Sequence, residues 1–455
     1  MNKTCKGSIN LSNIKKTAAI LTLGCRVNQY ESDYIVQSLT ERGFEIVPFG
    51  TPADVTVVNT CTVTAESDRK SRQMIRRAVG ASPAGAVIVT GCYTETGEDA
   101  VRKIDGVTYL TGNAKKSAIP DVIDKILDGI VPESRVEDIN SAEFDSMILK
   151  TPERTRSYIK IEDGCDNKCT YCIISSARGK VRSKPLADII AEAKSLREAG
   201  CREVILTGIE TAAYGRDFGK EPYYGHSLAG VIEEVASLGF ERIGLGSLEP
   251  TVMRSEFAER VSKIPALMPH FHLSVQSGST GVLNRMRRRY NADMLRDAVR
   301  NLKRYMPDAT LSADIIVGFP GETEEEFAET LGFARDVEFL HLHIFPYSIR
   351  EGTEAAKMKG QIPGPVKSER LHTLSSAAAE VKKELLEKYV ADHTTSSAHV
   401  LVEKVEDGVA VGHSEHYVEV HFPWSEDSVG QIIPVALTET DGEICAHAGI
   451  TLWNN

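Results

Sequence analysis

The chain has 455 residues, of which 42% are hydrophobic and 26% charged, proportions typical of a globular protein. No run approaches the roughly 18 apolar residues of a membrane helix, and the N-terminus lacks the apolar core of a signal peptide. Nine cysteines without an export signal favour a reducing cytoplasm, where clustered cysteines usually bind metals. The net charge of −11 disfavours phosphate binding by the whole surface, so a nucleic-acid site would need a local basic patch.

Strand and helix patterns alternate through residues 1–140, which predicts an α/β domain with a parallel sheet. Three apolar runs are predicted strands, and each is followed within a few residues by a cysteine: Cys25, Cys61 and Cys92. The carboxyl ends of parallel strands lie at one edge of a sheet, where such sheets bind ligands. We therefore expect a three-thiol site there; the alternative is three buried cysteines that act as small apolar residues.

A second alternation follows a polar, turn-rich stretch, with six predicted strands between residues 158 and 345. Six βα units suggest an incomplete barrel whose functional residues lie at the carboxyl ends of its strands. Past residue 391 the pattern changes to short alternating strands, which predicts a small all-β barrel. The expected domains are residues 1–140, 150–388 and 389–455.

The segment from Gly164 to Cys172 holds three further cysteines at CxxxCxxC spacing: Cys165, Cys169 and Cys172. Three thiolates are one fewer than a closed four-iron cluster needs, so one iron would be left open to bind and reduce a small molecule. A zinc site is the alternative, but no fourth Cys or His of a CxxC-type pair is nearby. Cys5, Cys201 and Cys445 have no partner pattern and are expected to be non-ligands.

The CxxxCxxC motif, with Tyr171 before its last cysteine, resembles the cluster motif of the radical S-adenosylmethionine (SAM) enzymes. The resemblance implies a [4Fe–4S] cluster on these cysteines, a SAM molecule chelated by the open iron, and release of a 5′-deoxyadenosyl radical. The turn ending at Glu210 is similar to the family's Gly-Gly-Glu turn, so Glu210 would contact the amino group of SAM; the alternative is an exposed loop acid. Further SAM contacts are expected at the ends of later strands: Ser247, Glu249, Gln276 and Gly318.

The segments around Cys25, Cys61 and Cys92 are similar to those of the methylthiotransferases. The run Gly-Cys-Arg-Val-Asn-Gln-Tyr-Glu at 24–31 is most similar to the branch acting on N6-threonylcarbamoyladenosine beside the tRNA anticodon. The resemblance implies that a methylthio group is added at carbon 2 of that base. It also implies a second [4Fe–4S] cluster that carries sulfur, and SAM as both methyl donor and radical source.

The same resemblance implies tRNA as partner, a sulfur donor, an electron donor such as a flavodoxin, no membrane and a monomeric, cytoplasmic enzyme. Three alternatives stay open: isopentenyladenosine as substrate, a protein side chain as substrate, and a non-enzymatic iron–sulfur electron carrier or RNA-binding regulator. Closed clusters would be needed by an electron carrier, whereas both cysteine triplets leave an iron open.

The C-terminal module resembles the TRAM RNA-binding barrel, yet past Ala391 it carries only Lys404 among Lys and Arg, and many acids. Such a surface repels phosphate. We therefore expect the tRNA phosphates to contact Arg287, Arg288 and Arg289, while the barrel offers stacking groups for exposed bases. The candidates for stacking are Tyr417, Phe422 and Trp424.

Overall fold

The computed structural model describes residues 15–219, 226–394, 396–440 and 443–447. Cys5, expected to be a non-ligand, lies outside these residues. Within them, no helix is both long and apolar enough to cross a membrane. The chain forms two compact units, one of Met1–Thr62 with Glu66–Asp138 and the other of Val63–Ala65 with residues 139–455. We call them the N-terminal unit and the C-terminal unit.

The N-terminal unit is built on a parallel sheet of five strands in the order β2-β1-β3-β4-β5. Apolar residues alternate between its two faces: Val57 and Ile88 pack with helices on one face, and Val58 and Val89 pack with helices on the other. Burial on both faces explains why the strands read as continuous apolar runs. The elements are β1 (Thr17–Thr22), α1 (Arg26–Glu41), β2 (Glu45–Ile46), β3 (Val55–Thr60), α2 (Ala65–Ala81), β4 (Ala86–Gly91), α3 (Cys92–Arg102), β5 (Tyr109–Leu110) and α4 (Ile119–Leu127).

The C-terminal unit begins with six parallel strands in two sheets, β10-β9-β6 and β11-β12-β13, joined by bridges such as Leu248 to Leu273. The arrangement is the incomplete barrel expected from the sequence, with a small antiparallel pair, β7 and β8, beside it. Its strands are β6 (Ser157–Lys160), β7 (Glu162–Asp163), β8 (Arg182–Ser183), β9 (Glu203–Thr207), β10 (Arg242–Leu245), β11 (His270–Gln276), β12 (Thr310–Val317) and β13 (His341–Pro346). Its helices are α5 (Ile174–Arg178), α6 (Leu186–Glu198), α7 (His226–Ala236), α8 (Ser255–Val261), α9 (Thr280–Arg285), α10 (Ala292–Tyr305), α11 (Glu324–Val337) and α12 (Gly364–His393).

Five strands close the C-terminal barrel in the order β14-β15-β16-β18-β17. Alternate residues such as Val400, Val420 and Phe422 fill it, and Tyr389 and Val390 at the end of α12 pack against the same core. The long helix therefore carries the chain from the central strands to the barrel. The strands are β14 (Ala398–Glu406), β15 (Val409–Ser414), β16 (Glu419–Pro423), β17 (Ile432–Thr440) and β18 (Glu443–His447). The multidomain α/β fold with an all-strand C-terminal region is thus confirmed.

The C-terminal barrel docks on the amino-terminal ends of the six central strands. Arg156, just before β6, pairs with Glu203 at the start of β9 (2.6 Å) and with Glu403 of the barrel. Arg242, the first residue of β10, donates to the His413 carbonyl at 3.0 Å. These buried charges fix the barrel at the end of the strands opposite to their carboxyl ends.

A stacked aromatic contact completes the junction. The Tyr417 ring lies between His270 at the start of β11 (centroids 4.8 Å apart) and His413 (4.7 Å). The Thr310 hydroxyl, at the start of β12, donates to the His416 carbonyl at 2.7 Å. Tyr417 therefore joins the barrel to the central strands and does not offer a stacking face to RNA. Phe422 is in the barrel core, so Trp424, 36% exposed, is the remaining candidate of the three.

Candidate active site

Cys25, Cys61 and Cys92 lie at one edge of the N-terminal sheet. Thr60 and Gly91, the last residues of β3 and β4, are paired in register, so Cys61 and Cys92 follow at the same level. Cys25 is the N-cap of α1. A Cβ on the preceding residue, Gly24, would stand only 2.9 Å from the Cys61 sulfur. The loop that carries Cys25 thus packs directly on the Cys61 thiol, as the strand positions predicted.

A buried polar network, which the sequence did not reveal, supports this edge. The Asn28 amide donates to the carbonyls of Leu23 (2.7 Å) and Thr60 (2.9 Å), which ties the end of β1 to the end of β3. The Lys116 ammonium donates to Asn59 Oδ1 at 3.0 Å and pairs with Glu31. The side chains of Lys116 and Glu31 are 0% and 1% exposed. The network holds the strand ends at fixed spacing.

Cys165, Cys169 and Cys172 occupy the loop between β7 and α5 in the C-terminal unit. Backbone hydrogen bonds fix the loop from several sides: Cys165 N–H to the Gly179 carbonyl (3.0 Å) and Thr170 N–H to the Met286 carbonyl (3.1 Å). The Tyr171 ring lies edge-on against Phe319, just past β12, with centroids 6.4 Å apart. A loop held in this way can present three thiols in one arrangement.

The electrostatics of these thiols combine burial with one positive charge. Burial raises the pKa of the Cys165 thiol and raises the pKa of Cys172 to about 11. The Arg288 guanidinium lies 3.2 Å from the Cys169 sulfur and also donates to the Tyr290 hydroxyl at 2.8 Å. Metal ligation deprotonates a thiol outright, and the arginine would stabilise the resulting thiolate charge.

Two buried carboxyl groups lie beside the cysteine loop. The Asn167 amide donates to Glu249 at 3.0 Å and lies 3.5 Å from Glu210. Burial, and then the neighbouring Glu249, raise the pKa of Glu210 to about 8. The Glu162 carboxyl accepts the Glu210 N–H at 2.8 Å and fixes the turn.

Each member of this trio keeps one polar atom without a hydrogen bond to the described residues: Glu210 Oε1, Glu249 Oε1 and Asn167 Oδ1. Buried acceptors of this kind are rare and costly when unpaired. A donor-rich ligand group would satisfy them, and the amino group of SAM is such a group. The residues present therefore fit the cofactor that the cysteine motif implies.

The other expected SAM contacts also lie at the carboxyl ends of the strands. Ser247 follows β10 and is exposed, and Gln276 ends β11 with φ of 68°. Gly318 follows β12 with φ of 70°, and its N–H donates to Glu322 at 2.6 Å. A Cβ on Gly318 would stand 2.4 Å from Cγ of Lys367, so the side chain of that lysine fills the space over the glycine.

The three arginines expected to bind tRNA differ in direction. Arg287 is exposed, has φ of 56°, and pairs with Glu354 at 2.5 Å. Arg289 is also exposed. Arg288 points inward to Cys169 and is not exposed for contact with tRNA phosphates.

The two remaining described cysteines lie in other parts of the chain. Cys201 is buried and its thiol donates to the Glu203 carbonyl at 3.1 Å, while Cys445 lies in β18.

Known protein families match both regions of the chain that carry a cysteine triplet. Residues 159–334 match the Radical SAM superfamily, and residues 17–112 match the Uncharacterized protein family UPF0004. The radical S-adenosylmethionine methyltransferase TsrM from Kitasatospora setae, solved with cobalamin and a [4Fe-4S] cluster bound, has a TM-score of 0.53. It is 14% identical, and the match covers 75% of this chain and 77% of that one, which shows a shared fold. The fold and the cysteine loop define a radical SAM enzyme, a class that uses [4Fe–4S] chemistry and SAM.

The relatives narrow the class. The threonylcarbamoyladenosine tRNA methylthiotransferase MtaB of Bacillus subtilis (strain 168) is 38% identical over 92% of this chain and 93% of its own length. The tRNA-2-methylthio-N(6)-dimethylallyladenosine synthase of the same organism is 32% identical over 94% of this chain and 86% of its own length. At such identity and coverage, this chain belongs to the radical SAM tRNA methylthiotransferases.

Proposed function

We propose that the enzyme adds a methylthio group to carbon 2 of N6-threonylcarbamoyladenosine next to the tRNA anticodon. The observation that carries the substrate assignment is the higher identity to the threonylcarbamoyladenosine relative, 38% against 32% for the dimethylallyladenosine one. The motif at residues 24–31, which surrounds Cys25, supports the same branch. Isopentenyladenosine is the second candidate because relatives with that activity also span most of the chain.

The proposed enzyme has two [4Fe–4S] clusters, one in each unit. The first is bound by Cys25, Cys61 and Cys92, and the second by Cys165, Cys169 and Cys172. When bound, the clusters and SAM supply the reducing electron, the hydrogen-abstracting radical, the sulfur and the methyl group. In each triplet three thiols leave one coordination position open, which suits sulfur delivery at one site and SAM binding at the other.

The chain's own residues orient SAM in this proposal. Glu210 and Glu249 accept from its amino group through oxygens that otherwise have no hydrogen bond to described residues. Asn167 holds both carboxyls in place. Ser247, Gln276 and Gly318 are the proposed contacts for the rest of the cofactor. The packing of Tyr171 on Phe319 excludes water from one side of the cysteine loop.

We propose a division of labour among residues 1–140, 150–388 and 389–455: sulfur delivery, radical generation and RNA contact. Arg287 and Arg289 contact the tRNA phosphates, since both are exposed. Arg288 acts on the cluster instead. The enzyme works as a cytoplasmic monomer with a sulfur donor and an electron donor such as a flavodoxin.

The deciding experiment is mass spectrometry of tRNA nucleosides from a strain that lacks this gene, with and without the gene restored. We expect the methylthio form of threonylcarbamoyladenosine to vanish and return, while isopentenyladenosine products stay constant. The opposite pattern would replace the proposed substrate with the second candidate. If neither nucleoside is lost, both tRNA substrates are excluded and a protein side chain becomes the favoured substrate.

A second experiment tests the two clusters. Anaerobically reconstituted protein should hold about eight irons per chain. Replacing Cys25 or Cys169 with alanine should abolish methylthiolation in either case, but only the Cys169 change should abolish SAM cleavage by dithionite-reduced protein. Cys201→Ala is the matched control and should retain both activities. About four irons in the parent protein would exclude the two-cluster arrangement.

A further inference from the structure

Three potential metal ligands converge where the C-terminal barrel meets the end of α12. His393 is the last residue of that helix, and Glu415 and His416 lie in the turn between β15 and β16. One ligand atom from each lies within 4.8 Å of the others. The His416 side chain is buried, at 9% exposed, while Glu415, at 22%, and His393 are half-buried.

Hydrogen bonds fix which nitrogen of each histidine is available. His393 Nδ1 lies 2.8 Å from the Tyr389 carbonyl, which can only accept, so Nδ1 carries the proton and the Nε2 lone pair is available. His416 Nε2 lies 3.4 Å from Asp308, a long contact that favours the proton on Nε2 and the lone pair on Nδ1. That Nδ1 stands 4.0 Å from Glu415 Oε1. A carbonyl or carboxylate behind a histidine is the usual support of a metal-binding imidazole.

The third ligand is oriented as well. Glu415 Oε2 accepts the backbone N–H of His399 at 2.9 Å, while Oε1 lies 4.0 Å from His416 Nδ1 and 3.7 Å from His399 Nδ1. Arg242 is 3.7 Å from the same Oε2. The Tyr389 hydroxyl is 3.4 Å from His416 Nδ1, a weak contact at the limit of a hydrogen bond, which a metal ion would displace.

We infer that His393, Glu415 and His416 bind one zinc ion. Two imidazoles and one carboxylate form a ligand set that zinc favours, with a water in the fourth position. Ligands of a tetrahedral zinc lie about 3.4 Å apart, so small side-chain movements close the site. The ion would fasten the end of α12 to the turn that also carries Tyr417, and would hold the barrel on the central strands. This inference does not depend on the tRNA substrate.

The test uses the full chain with its clusters reconstituted, so that the cluster cysteines are occupied. The protein is incubated with Zn²⁺ and gel-filtered without oxygen, and zinc and iron per chain are measured by elemental mass spectrometry. We expect about one zinc per chain, bound through nitrogen and oxygen in the X-ray absorption spectrum. Asp308→Asn, which alters the support of His416, should weaken binding roughly 10- to 100-fold, and His393→Ala should abolish stoichiometric binding.

His372→Ala is the matched control, because His372 is an exposed histidine on the same helix. It should keep the zinc, and zinc should raise the thermal midpoint of this variant and of the parent but not of His393→Ala. Equal iron content in all variants shows that they fold. The inference fails if the parent holds no more zinc than His393→Ala, or if the spectrum shows sulfur ligands.

Discussion

The exchange Glu210→Gln tests the role of the buried carboxyl beside the cysteine loop. It keeps the shape of the side chain and an acceptor for Asn167, but the amide cannot form the carboxylate that the ammonium of bound SAM would stabilise. A hydrogen bond to a charged group contributes about 1.5–3 kcal/mol. Because each 1.4 kcal/mol is about tenfold in affinity, SAM should bind about 10- to 150-fold more weakly. Equilibrium binding of SAM to the anaerobically reconstituted protein measures this loss.

The same exchange should stabilise the protein without SAM. Burial raises the folded-state pKa of Glu210 to about 8 from its ordinary value of 4.5, so the folded protein holds a proton that the unfolded chain releases. Its stability therefore falls as pH rises from about 5 to 8, and this loss disappears in the glutamine variant. The thermal midpoint of Glu210→Gln should exceed that of the parent by a margin that grows over this range.

Glu198→Gln is the control for both measurements, because Glu198 has a 67% exposed side chain and is paired weakly with Lys194. It should leave SAM affinity and the pH profile unchanged. If Glu210→Gln binds SAM as tightly as the parent, the carboxyl does not contact the cofactor. A margin in thermal midpoint that is constant with pH would show that Glu210 is ionised in the folded protein and would refute the argument from burial.

Lys116→Met should lower the unfolding free energy of the N-terminal unit by about 3–5 kcal/mol, since Glu31 loses its buried ammonium partner. Lys115→Met, at a neighbour with a 68% exposed side chain, should change it by less than about 0.5 kcal/mol; equal effects in denaturant titrations would contradict the network. Arg288→Gln should lower the reduction potential of the SAM-binding cluster by tens of millivolts, about 60 mV per 1.4 kcal/mol of lost hydrogen bonding to Cys169. Arg287→Gln should leave that potential unchanged and weaken tRNA binding. If redox and tRNA titrations show instead that Arg287→Gln changes the potential and Arg288→Gln weakens tRNA binding, the roles assigned to the two arginines are wrong.

Local pattern was enough to predict the sheet edge that carries Cys25, Cys61 and Cys92. Each cysteine follows an apolar run, and parallel strands bring such positions together whatever the intervening helices contain. The register of Thr60 with Gly91 shows the result. The ligand roles of all six cysteines stay predictions until the iron content is measured.

Long-range polar contacts could not be predicted in the same way. Lys116 pairs with Glu31 across 85 positions, and no spacing rule tells which of the two lysines after a short strand reaches a glutamate in the first helix. The available signal was Asn59 at the end of the apolar run of β3, since a polar residue in a buried strand needs a partner. The sequence of three consecutive arginines likewise does not show which side chain points into the protein. Arg287 has a left-handed backbone conformation, and Arg288, which follows it, points inward.

The position of the C-terminal barrel affects which nucleotides of a bound RNA the barrel could contact. At one end of β12, Thr310 contacts the barrel, and just past the other end Phe319 contacts the cysteine loop. The eight residues of β12 separate these ends by roughly 26 Å at about 3.3 Å per residue. Under the proposed function, the base that reacts at the cysteine loop would lie about that far from this contact of the barrel. A nucleotide bound at the contact would be several steps away from the reacting base, so the barrel would sense the length of the substrate and not the modified base.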